Sequence, residues 1–230
     1  MRRLTLISLT VLILGACGET VAPDTVRVGF DFFPLETGQF REYDVEEITF
    51  DIFGNIDTAR FDLREQVVDS FVNQAGDLTY ILHRSTRLNE MEDFELQTVW
   101  SARRNANQAV QIEENIPFIK ISFPIDNELS WDGNALNTLD EDQYEMDSIF
   151  SRYITLNNDT IDNTLTVIQN DNQDFIIMQD RRVEIYGLNI GLVSRQSTLL
   201  NYCDDPDCIG QQIIETGSII TQTITAYGKE

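Results

Sequence analysis

We first consider the side chains that commonly bind metals or act as acids and bases. In this sequence they are carboxylates, three cysteines and a single histidine. The 230 residues include 39 Asp and Glu, 16 Lys and Arg, and one His. His83 accompanies no G-x-S-x-G elbow, so a Ser-His-Asp triad is not indicated. No Walker loop, GxGxxG or CxxC motif occurs. The sequence therefore predicts no enzyme. A hydrolase built from these residues would depend on paired carboxylates or on calcium.

Four aspartates are the weak calcium candidates of the chain. Asp140 and Asp142 lie in an acidic run, and Asp204 and Asp207 lie near the C-terminus. Calcium takes several oxygen ligands, commonly from one loop, but the nearby Asp132-Gly133-Asn134 is not followed by the bidentate glutamate that an EF-hand requires. In so acidic a chain, a run of charge more often forms a solvated surface. We therefore predict no cofactor and no metal, and keep the four aspartates as secondary positions for calcium.

Cys17 follows a short apolar segment with the order of a secretory signal. Two arginines precede an apolar run over residues 4–14, and two small residues come directly before the cysteine. The run is too short to span a bilayer, which needs about 20 apolar residues. The stretch Leu14-Gly15-Ala16-Cys17 resembles a bacterial lipobox, which implies cleavage before Cys17 and lipidation of its thiol. An ordinary secretory signal is the alternative.

This motif divides the chain and sets its predicted location. We expect a lipoprotein signal peptide over residues 1–16, a lipid-anchored linker over 17–25 and one β-rich domain over 26–230. Two or three acyl chains hold a protein durably on a membrane. The predicted membrane partner is therefore reached through the lipid on Cys17, in the cell envelope and specifically at the outer membrane. The net charge of -23 repels phosphate backbones, so nucleic acid is not expected as a partner.

Cys203 and Cys208 form a second cysteine site. Export places them in an oxidising compartment, and their spacing suits a disulfide across the tip of a hairpin. Closing so small a loop stabilises a fold by about 2 kcal/mol in the chain-entropy model. Zinc is an alternative that lacks further ligands, because the only histidine is distant in sequence. Free thiols are the remaining alternative.

The elements that position these residues are mostly strands. Apolar and polar residues alternate in several segments, and each alternation predicts a half-buried strand. These segments lie around residues 48–52, 61–64, 78–82, 94–100, 119–125 and 164–167. We expect Phe94, Leu96 and Trp100 to share one face. We also expect Lys120 to lie on the polar face, opposite Ile119.

Short polar turns between these strands predict an antiparallel meander of about ten to twelve strands. A sheet of that size must curl, close or split. The predicted fold class is all-β and mainly antiparallel: a curved or half-open, barrel-like meander sheet with at most one or two short helices. Residues 139–153 and 175–186 have some helical spacing, but their composition favours strands. Residues 32–40 predict an apolar plug and a turn into the first long strand.

Four segments together carry a resemblance to a group of proteins. They are Phe33-Pro34-Leu35-x-x-Gly38, Trp131-Asp132-Gly133-Asn134, residues 162–167 and residues 186–193. Over most of the mature chain, these segments resemble uncharacterised envelope lipoproteins of the Bacteroidetes. The resemblance implies a curved antiparallel sheet, similar in outline to half-barrel periplasmic lipoprotein carriers. Its motifs are structural, so it implies no catalytic or binding residue.

Three functions follow as expectations. The first is a non-enzymatic binding module that holds an apolar or amphipathic ligand, which predicts an apolar cavity. The second is a structural or interaction subunit with an envelope protein partner, which predicts an exposed apolar patch. The third is the carboxylate- or calcium-dependent hydrolase, which predicts clustered acids of displaced pKa in a cleft.

Overall fold

A computed structural model describes residues 25–155 and 158–230. The predicted signal peptide, the anchor residue Cys17 and all but the last residue of the predicted linker lie outside this range. Within it, no helix has the length and apolar character required to cross a membrane.

The described chain is almost entirely β-strand, as predicted. Two short helical turns, α1 (Thr25–Val28) and the 3-10 turn η1 (Phe30–Phe32), come first. The strands are β1 (Gln39–Phe50), β2 (Ile56–Val72), β3 (Leu78–Arg87), β4 (Glu95–Arg104), β5 (Gln108–Glu113), β6 (Ile116–Ser122), β7 (Ser130–Asp132), β8 (Gln143–Ile154), β9 (Thr160–Asn172), β10 (Met178–Gly187), β11 (Gly191–Tyr202) and β12 (Ile214–Lys229). The two segments with some helical spacing form β8 and β10, which confirms the strand prediction for both.

The twelve strands form one antiparallel sheet in the order β6-β5-β4-β3-β2-β1-β12-β11-β10-β9-β8-β7. Each half is a meander, and the pairing of β1 with β12 joins the halves. The outermost strands then approach each other. The backbone N–H of Ile119 donates to the carbonyl of Gly133 at 2.9 Å, and Trp131 Nε1 donates to the carbonyl of Ile119 at 2.9 Å. The sheet is therefore nearly closed and barrel-like, in agreement with the predicted fold class.

One end of the barrel is blocked by residues 30–35, which we call the plug. Phe32 and Phe33 are buried with Leu35 in the main apolar core. Arg104 at the end of β4 holds the plug by donating to the carbonyls of Phe30 and Phe33. The turn at Gly38, where φ is +90°, leads directly into β1. The apolar plug predicted from the sequence is therefore confirmed.

The other end is open, and we call it the mouth. Six loops surround it: 51–55, 88–94, 114–115, 133–142, 173–177 and 203–213. Five of the six carry exposed large apolar side chains. These are Ile52, Phe53, Leu88, Met91, Leu136, Leu139, Phe175, Ile176, Ile177, Ile209 and Ile213. The mouth is thus rimmed by apolar loop tips, while the helical turns at residues 25–32 lie at the plugged end.

Two predicted side-chain orientations are wrong. Lys120 is buried together with Ile119 and Ile121, because the barrel interior accepts the lysine as one half of an ion pair. Leu96 is exposed whereas Trp100 is buried. The pairing of β3 with β4 shifts register between Arg84 and Ser85, and a one-residue shift turns the following side chains to the opposite face.

Candidate functional site

A pocket of about 360 Å³ opens inside the barrel towards the mouth. Its walls are mainly apolar and come from strands on both halves of the sheet. They include Val45 of β1 and Phe61 of β2 from one half, and Ile220 of β12 from the other half. The volume is at the lower end of the range for small-molecule sites. A larger groove of about 610 Å³ adjoins it through the shared residues Thr86 and Gln97. That groove is more polar and lies under an exposed loop, so the interior pocket is the better candidate.

Charged side chains cross the barrel interior beneath this pocket. Lys120 Nζ lies 2.7 Å from Glu184 Oε1 and 3.2 Å from Glu113 Oε1. These residues belong to β6, β10 and β5, which are not all neighbours in the sheet. Tyr186 donates its hydroxyl to Glu184 Oε2 at 2.5 Å. The ion pairs therefore connect opposite walls of the barrel.

A second ion pair extends the network towards the plug. Arg41 Nη1 lies 3.0 Å from Glu65 Oε1, and both side chains are buried. Arg41 also donates to the carbonyl of Pro34, which couples the network to the plug. Its guanidinium occupies the space where a side chain at residue 191 would lie, which requires the glycine found there. Gly191 belongs to the predicted structural motif 186–193, and this contact explains its identity.

The network favours the ionised forms of Glu184 and Lys120. Burial by itself raises the pKa of the Glu184 carboxyl, but Lys120 and Arg195 outweigh it, so the pKa of Glu184 is lowered. Burial lowers the pKa of Lys120, but Glu113 and Glu184 outweigh it, so its pKa is raised. Burial also raises the pKa of Tyr144 to about 12. A general acid needs a raised carboxyl pKa near the working pH, and the shift at Glu184 has the opposite sign.

Arg84 and Arg195 are the cations that reach the pocket itself. The guanidinium of Arg84 stacks on the ring of Trp100 at 3.6 Å from the centroid. Trp100 is buried and donates its indole N–H to Glu114 at 3.0 Å. It is therefore both part of the core and a wall of the pocket. Arg195 lies opposite Gln222 on the neighbouring strand, and Gln222 also lines the pocket.

The predicted disulfide is present. Cys203 and Cys208 are bonded, with their Cα atoms 5.8 Å apart. The bridge lies in the loop between the paired strands β11 and β12, which agrees with the predicted hairpin tip. Among the described residues, the one close group of three potential metal ligands is Cys203, Asp205 and Cys208. Two of its members are consumed by the disulfide.

The four calcium candidates are dispersed. Both carboxylate oxygens of Asp142 accept hydrogen bonds from Arg182, at 2.7 and 3.0 Å. Asp140 is exposed, and its carbonyl accepts a hydrogen bond from Asn134. Asp204 and Asp207 are exposed in the disulfide loop. The structure therefore does not bring Asp140 and Asp142 together with the later pair, and Arg182 already neutralises Asp142.

Sequence reasoning did not identify Arg84, Glu184 or Arg195 as site residues. The signal that was available is a lone charge between two apolar β-branched residues in a strand. Glu184 lies between Val183 and Ile185, and Lys120 lies between Ile119 and Ile121. Such a charge must be paired if the strand is buried on both faces. The identity of its partner depends on closure of the barrel.

Comparisons with known proteins give similarity in outline only. No protein-family model matches the chain, and no curated protein is significantly similar in sequence. A solved protein of Bacteroides fragilis NCTC 9343, described as exported and as having a YmcC-like fold, is 11% identical with a TM-score of 0.44. The similarity covers 86% of this chain and 99% of that one. A protein of Parabacteroides distasonis ATCC 8503, described as a lipoprotein, is 11% identical with a TM-score of 0.37 over 84% and 98% of the two chains. At these levels, neither similarity identifies a family or a function.

Proposed function

We propose that this protein is a lipid-anchored envelope protein whose barrel binds an apolar or amphipathic ligand without catalysing a reaction. The observation that carries the proposal is the pocket of about 360 Å³ at the mouth, which the protein's own side chains leave unfilled. Ligand sites are typically concave and mostly apolar, with a few convergent polar groups. Phe61, Ile220 and Trp100 supply the apolar wall, and Arg84 and Arg195 supply the polar groups.

The carboxylates near the pocket support binding in preference to hydrolysis. Glu113 and Glu184 share the ammonium group of Lys120, and Glu65 is paired with Arg41. Carboxylates held in this way fix the shape and charge of the interior. A glycosidase-type pair requires one protonated acid beside one ionised base, and the lowered pKa of Glu184 does not provide the acid.

Binding of a neutral fluorescent probe tests the proposal. N-phenyl-1-naphthylamine is titrated into the full chain carrying Cys17→Ser, and we expect saturable enhancement of its emission. Ile220→Trp fills the pocket and should abolish the enhancement. Ile219→Trp is the matched control, because residue 219 is the neighbour of residue 220 and does not line the pocket. Equal probe binding by both variants, each shown to be folded by circular dichroism, would overturn the assignment of the pocket.

The anchor and the location need a separate experiment. Cells that express the wild-type chain are labelled with a palmitate analogue and fractionated. We expect label on the wild type in the outer membrane and none on Cys17→Ser, which should be released from the membrane. Label that persists in the variant, or wild-type protein in the soluble fraction, would overturn anchoring through Cys17.

The apolar loop tips favour a second function, docking onto another envelope protein. Phe53 and Met91 are 80% and 95% exposed at the mouth. A photo-crosslinking residue at position 53 should then capture a discrete partner in intact cells. Position 227 at the plugged end is the control, since Tyr227 is also exposed. Crosslinks of equal yield at both positions, or none at position 53, would count against docking through the mouth.

A further inference from the structure

The two arginines of the pocket are incompletely neutralised by the protein. Arg84 Nε is buried and has no hydrogen-bond partner in the part of the chain that the structure describes. Its ion-pair contact with Glu65 is 3.7 Å long. Arg195 approaches Glu113 and Glu184 at 3.8 Å each. These three distances exceed those of charge-assisted hydrogen bonds, which are about 2.7–2.9 Å.

The charges of the interior network leave a positive surplus. Its ion pairs join four cations to three carboxylates. Arg41 and Arg84 share Glu65, whereas Lys120 and Arg195 both approach Glu113 and Glu184, so the surplus positive charge belongs to the group that contains Arg84. The ion-paired groups of the interior thus carry an excess of one positive charge, although the chain as a whole has a net charge of -23. A buried charge without a partner is costly, so a single negative charge between the arginines would complete the network.

The surroundings specify what carries that charge. Arg84 of β3 lies opposite Glu65 of β2 in the sheet. Phe61 is also in β2, four residues nearer the mouth than Glu65. Arg84 therefore lies deep in the pocket, and the apolar wall lies between Arg84 and the mouth. Two acids lie closer to the mouth: Glu47 on the pocket wall and Glu114 in the loop between β5 and β6. Together with the overall negative charge they disfavour small free anions, so the apolar part of a ligand must supply the drive for entry.

We propose that the pocket binds a single-chain amphiphile with a carboxylate head, the carboxylate lying between Arg84 and Arg195 and the alkyl chain lying against Phe61, Leu63 and Ile220. The inference rests on the proposed binding function and names its ligand class. Arginine suits the role because its planar fork matches a carboxylate. The volume of about 360 Å³ favours one chain over the two chains of a phospholipid, and the surplus of one charge favours a monoanion.

Competition against the neutral probe tests the head group. Dodecanoate, dodecan-1-ol and dodecyltrimethylammonium have the same chain and differ in charge. We expect dodecanoate to displace N-phenyl-1-naphthylamine at a concentration at least tenfold lower than either competitor. Arg84→Gln and Arg195→Gln should each remove that preference, with displacement in each variant scored against that variant's own affinity for the probe. In these variants, Glu65 keeps Arg41, and Glu113 and Glu184 keep Lys120. Arg60→Gln, which changes an exposed ion pair, is the matched control and should keep the preference.

The outcomes separate this inference from the function beneath it. Probe binding with equal displacement by dodecanoate and dodecan-1-ol would overturn the carboxylate assignment and leave the binding function standing. A preference that survives in both arginine variants would also overturn it. If millimolar inorganic phosphate or acetate prevents dodecanoate from displacing the probe, the site binds free anions. That result would overturn the assignment of an amphiphile as the ligand. No probe binding by the wild type would overturn the proposed function itself.

Discussion

Glu184 is the carboxylate on which the interior network depends. It is 1% exposed and contacts Lys120 and Tyr186 at 2.7 and 2.5 Å. Replacing Glu184 by Gln removes the charge with little change in volume. Because breaking a buried pair leaves an uncompensated charge, we expect a loss of about 3–5 kcal/mol in the free energy of urea unfolding. Glu46→Gln is the control, since Glu46 pairs with Arg60 at the surface. Equal losses in the two variants would contradict this account.

The same residue predicts how stability depends on pH. The pKa of Glu184 is lowered from 4.5 in the folded protein, so between the two pKa values the unfolded state binds more protons. Its contribution is therefore present above about pH 4.5 and is lost as the pH falls through the folded-state pKa. Urea midpoints measured from pH 7 to pH 3 should fall more steeply for the wild type than for Glu184→Gln. Parallel curves would show that Glu184 does not titrate differently on folding.

At the scale of elements, the plug stabilises one end of the barrel. Phe32 is fully buried, whereas Phe53 at the mouth is 80% exposed. Truncating a buried phenylalanine to alanine costs about 3–5 kcal/mol. We expect Phe32→Ala to lose this amount in chemical denaturation. Phe53→Ala should leave the midpoint unchanged, and a comparable loss in that variant would mean that the loop tips pack in solution.

The disulfide loop should contribute locally. Cys203 and Cys208 are five positions apart in the sequence, and closing such a loop is worth about 2 kcal/mol in the chain-entropy model. The double variant Cys203→Ser, Cys208→Ser should lose this amount. Increased hydrogen exchange should be confined to the loop and the ends of β11 and β12. A reducing agent should destabilise the wild type and have no effect on the double variant. An effect on the double variant would show that the agent acts on something other than this disulfide.

The elements were largely predictable, and the interior was not. Alternation of apolar and polar residues located the strands, and the Pro34 segment located the plug. Alternation predicts a solvent-facing Lys120, because it cannot distinguish water from a polar interior. The face of Leu96 was missed because a register shift leaves no mark in the sequence. Arg84 and Arg195 belong to strands in opposite halves of the sheet, so only closure of the barrel shows that they line the same pocket.

At the scale of the whole molecule, the excess of acidic residues has a cost in stability. With 39 acidic and 16 basic residues, the surface repels itself when the chain is compact. Salt shortens the range of this repulsion, from about 30 Å at 0.01 M to about 3 Å at 1 M. We therefore expect the urea midpoint to rise between these NaCl concentrations. Glu184→Gln should show the same rise, because a buried pair is screened little, and a fall in the midpoint would show that surface ion pairs dominate.

The position of the chain's N-terminal turn at the plugged end limits what the mouth can reach. If Cys17 carries the lipid, residues 17–24 can extend at most about 29 Å from the membrane. The 17 residues of β2 extend about 56 Å along the strand, or about 40 Å along the axis of a barrel with strands tilted by 45°. The tether is thus shorter than the barrel. If the barrel stands upright on that anchor and binds a ligand as proposed, its mouth lies out of reach of the anchoring membrane, and ligand exchange takes place with a second membrane or protein.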